Sequence, residues 1–309
     1  MSAVVSTRRA LVASLVVGLG LFSSAGARAY CRSASCPGRP ASDPGQVCSP
    51  AQPDDCGLVI QWRLPCIGFG VQKDASSQID FATASTTLEQ AFSAWTQADC
   101  GHGPPSIEVH DLGSVDCDKV EYNQHDGNAS ILVFRDKSWP HDGDPSAGVT
   151  DTIALTTVTY DVDKGDIYDA DIEVNTANNR FTTGVSDVDV DLLSVLTHEA
   201  GHFLGMAHSA DGDATMFPNY TNGDLSLRTL SADDIEGICD AYPPERQAVG
   251  TCEGGLPRHG FSPFCKAEQT EGKCSASPGP LPSPAGWLAI AAGAVFLQIT
   301  RARARRKIS

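Results

Sequence analysis

Residues 198–208 constrain the fold of this chain more than any other part of the sequence. They read HEAGHFLGMAH, which places His198 and His202 four residues apart. On an α-helix these side chains lie one turn apart on the same face, so both ring nitrogens can reach one metal ion. Gly205 can adopt a left-handed backbone that ends the helix, and His208 then follows as a third imidazole.

The ligand set indicates a catalytic zinc site. Three neutral imidazoles leave the fourth position of a tetrahedral zinc ion open, whereas structural zinc sites are closed by four protein ligands. Glu199 lies beside these histidines, where its carboxylate can take a proton from a zinc-activated water molecule. We predict one catalytic Zn²⁺ held by His198, His202 and His208, with Glu199 as general base.

The hydrophobic pattern predicts a mixture of helices and strands. A capping-box pattern begins at Thr86, acidic residues precede Leu192, and Ser231 can cap a last helix. Helices are therefore expected at about 86–98, 192–204 and 232–241. Strands are expected at 58–60, 67–71, 107–109, 131–134, 153–159 and 167–174, the last two joined as a hairpin by the turn at 163–165.

Several segments resemble a known family. The zinc-binding segment is similar to the metzincin signature, and ATMFPNY at 214–220 resembles the Met-turn of the matrixin branch, which is matrix-metalloprotease-like. LSADDIEGI at 230–238 resembles the last matrixin helix, and DADIE at 169–173 is similar to bacterial members. The chain is identified, over roughly 57–244, as a bacterial-type member of the matrixins.

This resemblance implies a fold and a set of roles. The expected fold is α+β of the metzincin type, a twisted mixed sheet with three main helices, and the expected activity is that of a zinc endopeptidase. An extended peptide would lie along the edge strand above the zinc. Met216 would form a hydrophobic floor beneath the site, and Pro218 and Tyr220 would line the pocket for the residue after the scissile bond.

The sequence also departs from animal matrixins. No Pro-Arg-Cys-Gly stretch is found, and residues 65–68 look like the entry to a core strand, so latency by a cysteine switch is not expected. The second, structural zinc is predicted to be absent because its partner positions look like Leu155 and Tyr168. The acidic hairpin turn leaves two readings open, a Ca²⁺ site or exposed turn acids; its carboxylates are Asp161, Asp163 and Asp166.

The N-terminus has the composition of an export signal. Arg8 and Arg9 precede an apolar run at 10–22, and residues 27–29 match an A-x-A cleavage site. Residues 1–29 are predicted to be a secretory signal peptide, with a membrane anchor as the alternative. Export would place the protein outside the cell or on its surface, in an oxidising compartment.

The C-terminus combines a short apolar segment with an Arg-rich end. As a helix, residues 287–299 would reach about 20 Å, short of the ~30 Å hydrocarbon core. The segment resembles the C-terminal sorting tails of some bacterial surface proteins. We predict a sorting or anchoring signal at 286–309 with membrane contact only through 286–300; the alternative is a retained tail helix.

The eleven cysteines fit an oxidising compartment. Ten of them could form five disulfides, with Cys274 left over, but spacing does not determine the pairing. No C-x-x-C pattern supports a redox or zinc-ribbon site. The ten are Cys31, Cys36, Cys48, Cys56, Cys66, Cys100, Cys117, Cys239, Cys252 and Cys265.

The charge of the chain argues against a nucleic-acid partner. The formal net charge is −16, and eight of the 22 basic residues lie within 1–29 and 301–309. The intervening part is therefore strongly acidic, whereas phosphate binding needs a basic face. We expect a protein or peptide substrate and no nucleic acid.

These observations predict an exported zinc-dependent endopeptidase. Two alternatives are a zinc-binding surface protein without turnover, against which the intact Glu199 argues, and a disulfide-rich adhesion module with an incidental zinc motif. The predicted parts are a signal peptide (1–29), a Cys/Pro-rich segment (30–56), a matrixin-like catalytic domain (57–245), a Cys- then Pro-rich linker (246–285) and the tail signal (286–309).

Overall fold

The computed structural model describes residues 30–34, 58–141 and 152–264, and the backbone of 292–296. The predicted signal peptide, most of the segment 30–56 and most of the tail lie outside these residues, as do Cys36, Cys48, Cys56, Cys265 and Cys274. Within the described ranges, no helix has the length and apolar character needed to cross a bilayer.

The described residues form three α-helices and ten strands. The helices are α1 (Phe81–Thr96), α2 (Leu192–Phe203) and α3 (Ala232–Ala241), with a short 3₁₀ turn at Ser226–Arg228. The strands are β1 (Cys31–Arg32), β2 (Cys66–Gln72), β3 (Glu108–Val115), β4 (Ile131–Phe134), β5 (Ala154–Tyr160), β6 (Ile167–Val174), β7 (Phe181–Thr182), β8 (Val190–Asp191), β9 (Met206–Ala207) and β10 (Ala292–Phe296).

One mixed sheet forms the centre of the fold. Its strand order is β10-β5-β6-β4-β2-β3, and β3, β2, β4 and β6 run parallel. β5 is antiparallel to β6, and β10 is antiparallel to β5 on its other side. This confirms the predicted α+β class and the hairpin of β5 and β6, which turns through residues 161–166.

The main core lies between one face of the sheet and the helices α1 and α2. Phe92 and Trp95 on α1 are fully buried, as is Phe203 on α2. Phe92 contacts Phe203 edge-to-face, with ring centroids 5.0 Å apart, and the Trp95 indole donates to the carbonyl of Thr197 at 2.8 Å. These contacts fix α2, the helix that carries the histidine motif, against α1 and the sheet.

The predicted elements agree with the structure to different degrees. The strands at 131–134 and 167–174 and the helix at 232–241 are confirmed at their predicted ends, and α2 ends one residue early. The first helix begins at Phe81 rather than 86, because Asp80 is its N-cap and accepts the backbone N–H of Thr83. The expected strand at 58–60 is reduced to a single bridge between Val59 and Ala34.

The described N-terminal residues 30–34 pack beside the histidine motif. Cys31 and Arg32 pair with Ala207 and Met206, and the N–H of Ser33 donates to the carbonyl of Gly205 at 3.0 Å. The first residues of the predicted Cys/Pro-rich segment 30–56 form the strand β1. The boundary at 57 remains a prediction.

Residues 246–264, predicted as part of a linker, also pack against the domain. Cys252 forms a disulfide with Cys66 at the start of β2, and Ser262 donates its N–H to the carbonyl of Asn128 at 2.9 Å. A second disulfide joins Cys100 to Cys239 on α3. Cys31 and Cys117 each take part in a further disulfide. Cys66 therefore begins a core strand, as predicted, and its sulfur is held in a disulfide with Cys252.

Candidate active site

The helix α2 begins at a buried carboxylate. Asp191 is the N-cap and accepts the backbone N–H of Ser194 at 2.8 Å, which satisfies one of the unpaired donors of the first turn. The same carboxylate forms a forked ion pair with Arg228, from the 3₁₀ turn. The start of α2 is thereby fixed from two sides.

The helix ends at a turn that only glycine fits without strain. Gly205 has φ +89°, and a Cβ there would lie 2.7 Å from the carbonyl oxygen of Ile60. The chain reverses at this point into β9 and then reaches His208. The predicted role of Gly205 as the residue that ends the helix and redirects the chain is consistent with this geometry.

Three histidine rings converge as the sequence predicts. The Nε2 atoms of His198 and His202 are 3.1 Å apart, and those of His202 and His208 are 3.2 Å apart. A tetrahedral zinc ion with nitrogens at about 2.0–2.1 Å needs N–N separations of about 3.3 Å, so the donor set fits zinc. All three residues are buried.

Backbone carbonyls select the tautomer of two rings. His198 Nδ1 lies 2.6 Å from the carbonyl oxygen of Thr215, and His202 Nδ1 lies 2.9 Å from that of Met206. A carbonyl accepts only, so each Nδ1 carries the proton and each Nε2 presents a lone pair to the centre of the site. This is the second interaction that zinc-ligating histidines commonly make.

The surroundings keep the rings neutral. Burial lowers the pKa of His202 to about 4. Burial, together with the neighbouring imidazoles, also places the pKa of His198 and of His208 well below the ordinary value. Metal binding requires deprotonated ligands, so these shifts prepare the site for a cation.

Glu199 lies in the same buried region with its two carboxylate oxygens in different environments. Oε2 accepts a hydrogen bond from the hydroxyl of Thr156 on β5 at 2.6 Å, whereas buried Oε1 has no hydrogen-bond partner among the described residues. Burial raises the pKa of Glu199 to about 8, and the Thr156 hydroxyl acts in the opposite direction. A buried acceptor without a partner fits a group that acts on a bound molecule.

Met216 packs directly under the active-site helix. A Cβ on Gly201 would clash with Met216 Sδ and would lie 2.6 Å from Trp95 Cζ2, so helix and Met-turn meet at a glycine. Asp234 on α3 accepts the backbone N–H of Thr215 at 2.7 Å and that of Met216 at 3.0 Å. No pattern in the sequence identifies Asp234 as this anchor.

Of the two residues expected to line a substrate pocket, Tyr220 makes hydrogen bonds that connect two segments of the fold. Pro218 and Tyr220 are both buried, and the Tyr220 hydroxyl donates to the carbonyl of Asp224 at 2.9 Å and accepts the N–H of Asp191 at 2.8 Å. The tyrosine therefore connects the Met-turn segment to the start of α2. A role for either residue as a pocket wall remains a prediction.

Other candidate metal residues are engaged in hydrogen bonds. The Asp161 carboxylate accepts from the N–H of Asp163, from Lys164 Nζ and from the Tyr168 hydroxyl, and Asp166 pairs with Arg63. These bonds favour the exposed-turn reading over a Ca²⁺ site.

Comparison of the sequence with known proteins identifies its family. The family described as Matrixin matches residues 61–243. Human neutrophil collagenase is 44% identical over 195 residues, 62% of this chain and 36% of the relative. Metalloendoproteinase 1-MMP of Arabidopsis thaliana is 29% identical over 192 residues (60% and 45%), and human matrilysin is 48% identical over 65 (21% and 24%).

The chain spans less than half the length of the curated relatives it matches, and the similar proteins named here come from animals and a plant, so they do not support the bacterial-type placement. The family match covers more than half of the chain and contains all three convergent histidines and Glu199. The chain belongs to the matrixins, a family of zinc metalloendopeptidases.

Proposed function

We propose that this protein is a zinc-dependent endopeptidase that hydrolyses peptide bonds in proteins or peptides. The observation that carries the proposal is the convergence of three imidazoles beside a buried carboxylate whose Oε1 has no partner among the described residues. The Nε2 atom of His202 lies 3.1 Å from that of His198 and 3.2 Å from that of His208. His198, His202 and His208 would hold Zn²⁺. When bound, zinc supplies a Lewis acid that polarises a carbonyl and acidifies water.

Glu199 performs the proton transfers in this proposal. Its Oε1 accepts a proton from the attacking water, and the same carboxyl group then donates that proton to the leaving amine. Met216 supports the helix that carries Glu199 and does not take part in the chemistry.

The outer side of β5, which β10 covers in the structure, is proposed as the place for an extended substrate. β5 lies next to Glu199 through Thr156, and its outer side pairs with an antiparallel strand, β10. A substrate can add to such an edge through main-chain hydrogen bonds, while side-chain pockets give specificity. Pro218 and Tyr220 are proposed to bound the pocket for the residue after the scissile bond.

Location is part of the same proposal. We propose export through residues 1–29 and extracellular or cell-surface action, which the disulfides Cys66–Cys252 and Cys100–Cys239 support. Membrane contact through 286–300 has no support in the structure, where Ala292–Phe296 pairs with β5. A Ca²⁺ site at the acidic turn and likeness to bacterial members remain predictions from the sequence, without support from the hydrogen bonds of the turn or from the similar proteins.

Peptide cleavage by the purified full-length chain tests the proposal. A mixed peptide library is incubated with the protein, with the Glu199→Gln variant, and with protein treated with a zinc chelator. We expect cleavage that the chelator abolishes and that falls by about a hundredfold or more in Glu199→Gln. The matched control Glu89→Gln, at an exposed position of α1, should cleave normally.

Zinc content separates this function from its alternative. Glu199→Gln should retain one zinc per chain, because the three histidines are unchanged. One-to-one zinc binding by the wild-type chain without cleavage of any peptide would instead favour a zinc-binding surface protein. Absence of both zinc and cleavage would reject the metal site itself.

A further inference from the structure

A hydroxyl on β5 contacts the candidate catalytic carboxylate. Thr156 lies on β5, is fully buried, and places its Oγ1 2.6 Å from Glu199 Oε2. The same hydroxyl is 3.3 Å from the backbone carbonyl of Glu199. The hydroxyl has one proton to donate. Glu199 Oε2 is the stronger acceptor, because it is closer and is a carboxylate oxygen.

We propose that Thr156 is a positioning residue that holds Glu199 by Oε2 and thereby reserves Oε1 for proton transfer. This inference rests on the proposed endopeptidase function and extends it to a residue outside the histidine motif. Its basis is the asymmetry of the carboxylate, in which one oxygen is bonded and the other is buried without a partner among the described residues.

The sheet makes Thr156 a rigid point of attachment. Its backbone lies in the ladder between β5 and β6, opposite Ile172, and its β-branched side chain has few rotamers. The neighbouring residues Ala154 and Val158 on the same face belong to the main core. The hydroxyl is therefore fixed by the sheet and by α2 packing, independently of any bound metal.

Glu199 needs such a support because its side chain is long. A glutamate has three side-chain torsions, and a general base must lie within hydrogen-bond reach of the proton it takes. A misplacement of about 1 Å can cost about a hundredfold in rate. A hydrogen bond to one oxygen removes this freedom and leaves the other oxygen available.

The test compares variants of the full-length, zinc-loaded protein on a peptide that the wild type cleaves. Thr156→Val keeps the shape and removes the hydroxyl, whereas Thr156→Ser keeps the hydroxyl. Thr157→Val is the matched control, because Thr157 follows on the same strand and its side chain lies on the opposite face. Zinc content and thermal unfolding are measured for each variant.

The expected result is a change in kcat alone. Thr156→Val should lower kcat by about tenfold to a hundredfold with KM within about twofold, and Thr156→Ser should recover most of the loss. In the Glu199→Gln background, Thr156→Val should cause little further loss, because the hydroxyl acts through the carboxylate. A merely structural threonine would show equal losses in both backgrounds.

Other outcomes would contradict the role of Thr156, the endopeptidase function, or both. Wild-type kcat in Thr156→Val, no recovery in Thr156→Ser, or a loss that follows zinc content would overturn the positioning role and leave the endopeptidase function intact. Absence of cleavage by the wild type would overturn both. If Thr156→Val does not fold, Thr156→Ala provides the second variant without a hydroxyl, and the same criteria apply.

Discussion

At the residue scale, Gly201 shows how one position in the histidine motif is fixed by packing. It lies between His198 and His202, on the part of α2 that meets Met216 and Trp95. A side chain there would enter space that these two residues fill. Only the smallest residue lets the Met-turn approach the helix at this distance, which explains why the motif reads Glu-Ala-Gly-His here.

Gly201→Ala is therefore expected to destabilise the fold and weaken zinc binding. Overpacking of a dense core costs about 1–3 kcal/mol, and displacement of α2 also moves His198 and His202. Thermal unfolding and competition with a zinc chelator measure the two effects. Gly212→Ala is the control, because nothing lies within 4 Å of a Cβ at that position. Equal losses in the two variants would contradict the packing argument.

A second residue-scale feature is a pair of buried carboxyl groups on β6. Asp169 accepts the Ser130 hydroxyl at 3.0 Å, and Asp171 accepts the N–H of Ile131 at 2.9 Å. Burial raises the pKa of Asp169 to about 7, and burial together with the charge of Asp169 raises the pKa of Asp171 well above its ordinary value. The native pair therefore retains protons at a pH at which the unfolded chain has lost them.

This difference predicts that the contribution of the pair to stability falls as pH rises. Between about pH 4 and pH 7 the two carboxyl groups bind more protons in the native state than in the unfolded chain, so their contribution to the free energy of unfolding decreases across that window. Asp171→Asn removes one of these ionisations, so the stability of the variant relative to the wild type should be higher at pH 7.5 than at pH 4.5. Denaturant unfolding at pH 4.5 and 7.5 measures it, with exposed Asp126→Asn as control. An equal change in stability at both pH values would refute the account.

At the element scale, the sequence predicted those elements whose signals are local. α3 has its capping box at Ser231 and Asp234, and α2 has its histidines and a cap at Asp191. The start of α1 was wrong because Thr86 and Glu89 imitate a capping box inside a helix that Asp80 begins. The two-residue strands β1 and β9 pair across more than 170 residues and carry no local alternation, so they could not be predicted.

The same distinction applies to the site. His198, Glu199, His202 and His208 were predicted because their spacing along one helix and turn already fixes their geometry. The contacts of Thr156 and Asp234 with the site join residues 43 and 18 positions apart in the chain, and they depend on how the sheet and α3 pack. Neither contact has a pattern in the sequence that identifies it.

The start of α2 provides an element-scale prediction. Arg228→Met leaves the fully buried Asp191 without its ion-pair partner, and loss of one partner of a buried pair costs about 3 kcal/mol or more. The first turn of α2 should then exchange amide hydrogens faster. Arg180→Met is the control, since its contact with Asp189 is 3.5 Å and largely exposed. A similar small loss in both variants would contradict the role of Arg228.

At the scale of the whole molecule, segments distant in sequence meet around the histidine motif. β1 pairs with β9 directly after α2, and residues 246–264 pack on the sheet through Cys252 and Ser262. β10 pairs with β5 in a register that sets Val295 opposite Thr156, the residue that contacts Glu199. The tail strand therefore lies along the edge proposed for the substrate.

Competition between tail and substrate follows from this register. A substrate that adds to β5 needs the same main-chain donors and acceptors that β10 uses. Deletion of residues 286–309 is therefore expected to lower KM for peptides severalfold and to leave kcat unchanged. The reference is the full-length protein, whose intact tail is verified by mass spectrometry. Gly293→Pro with Val295→Pro should act similarly, because proline removes ladder N–H groups while tail length is preserved. An unchanged KM in both proteins would mean that the tail does not compete for the edge of β5.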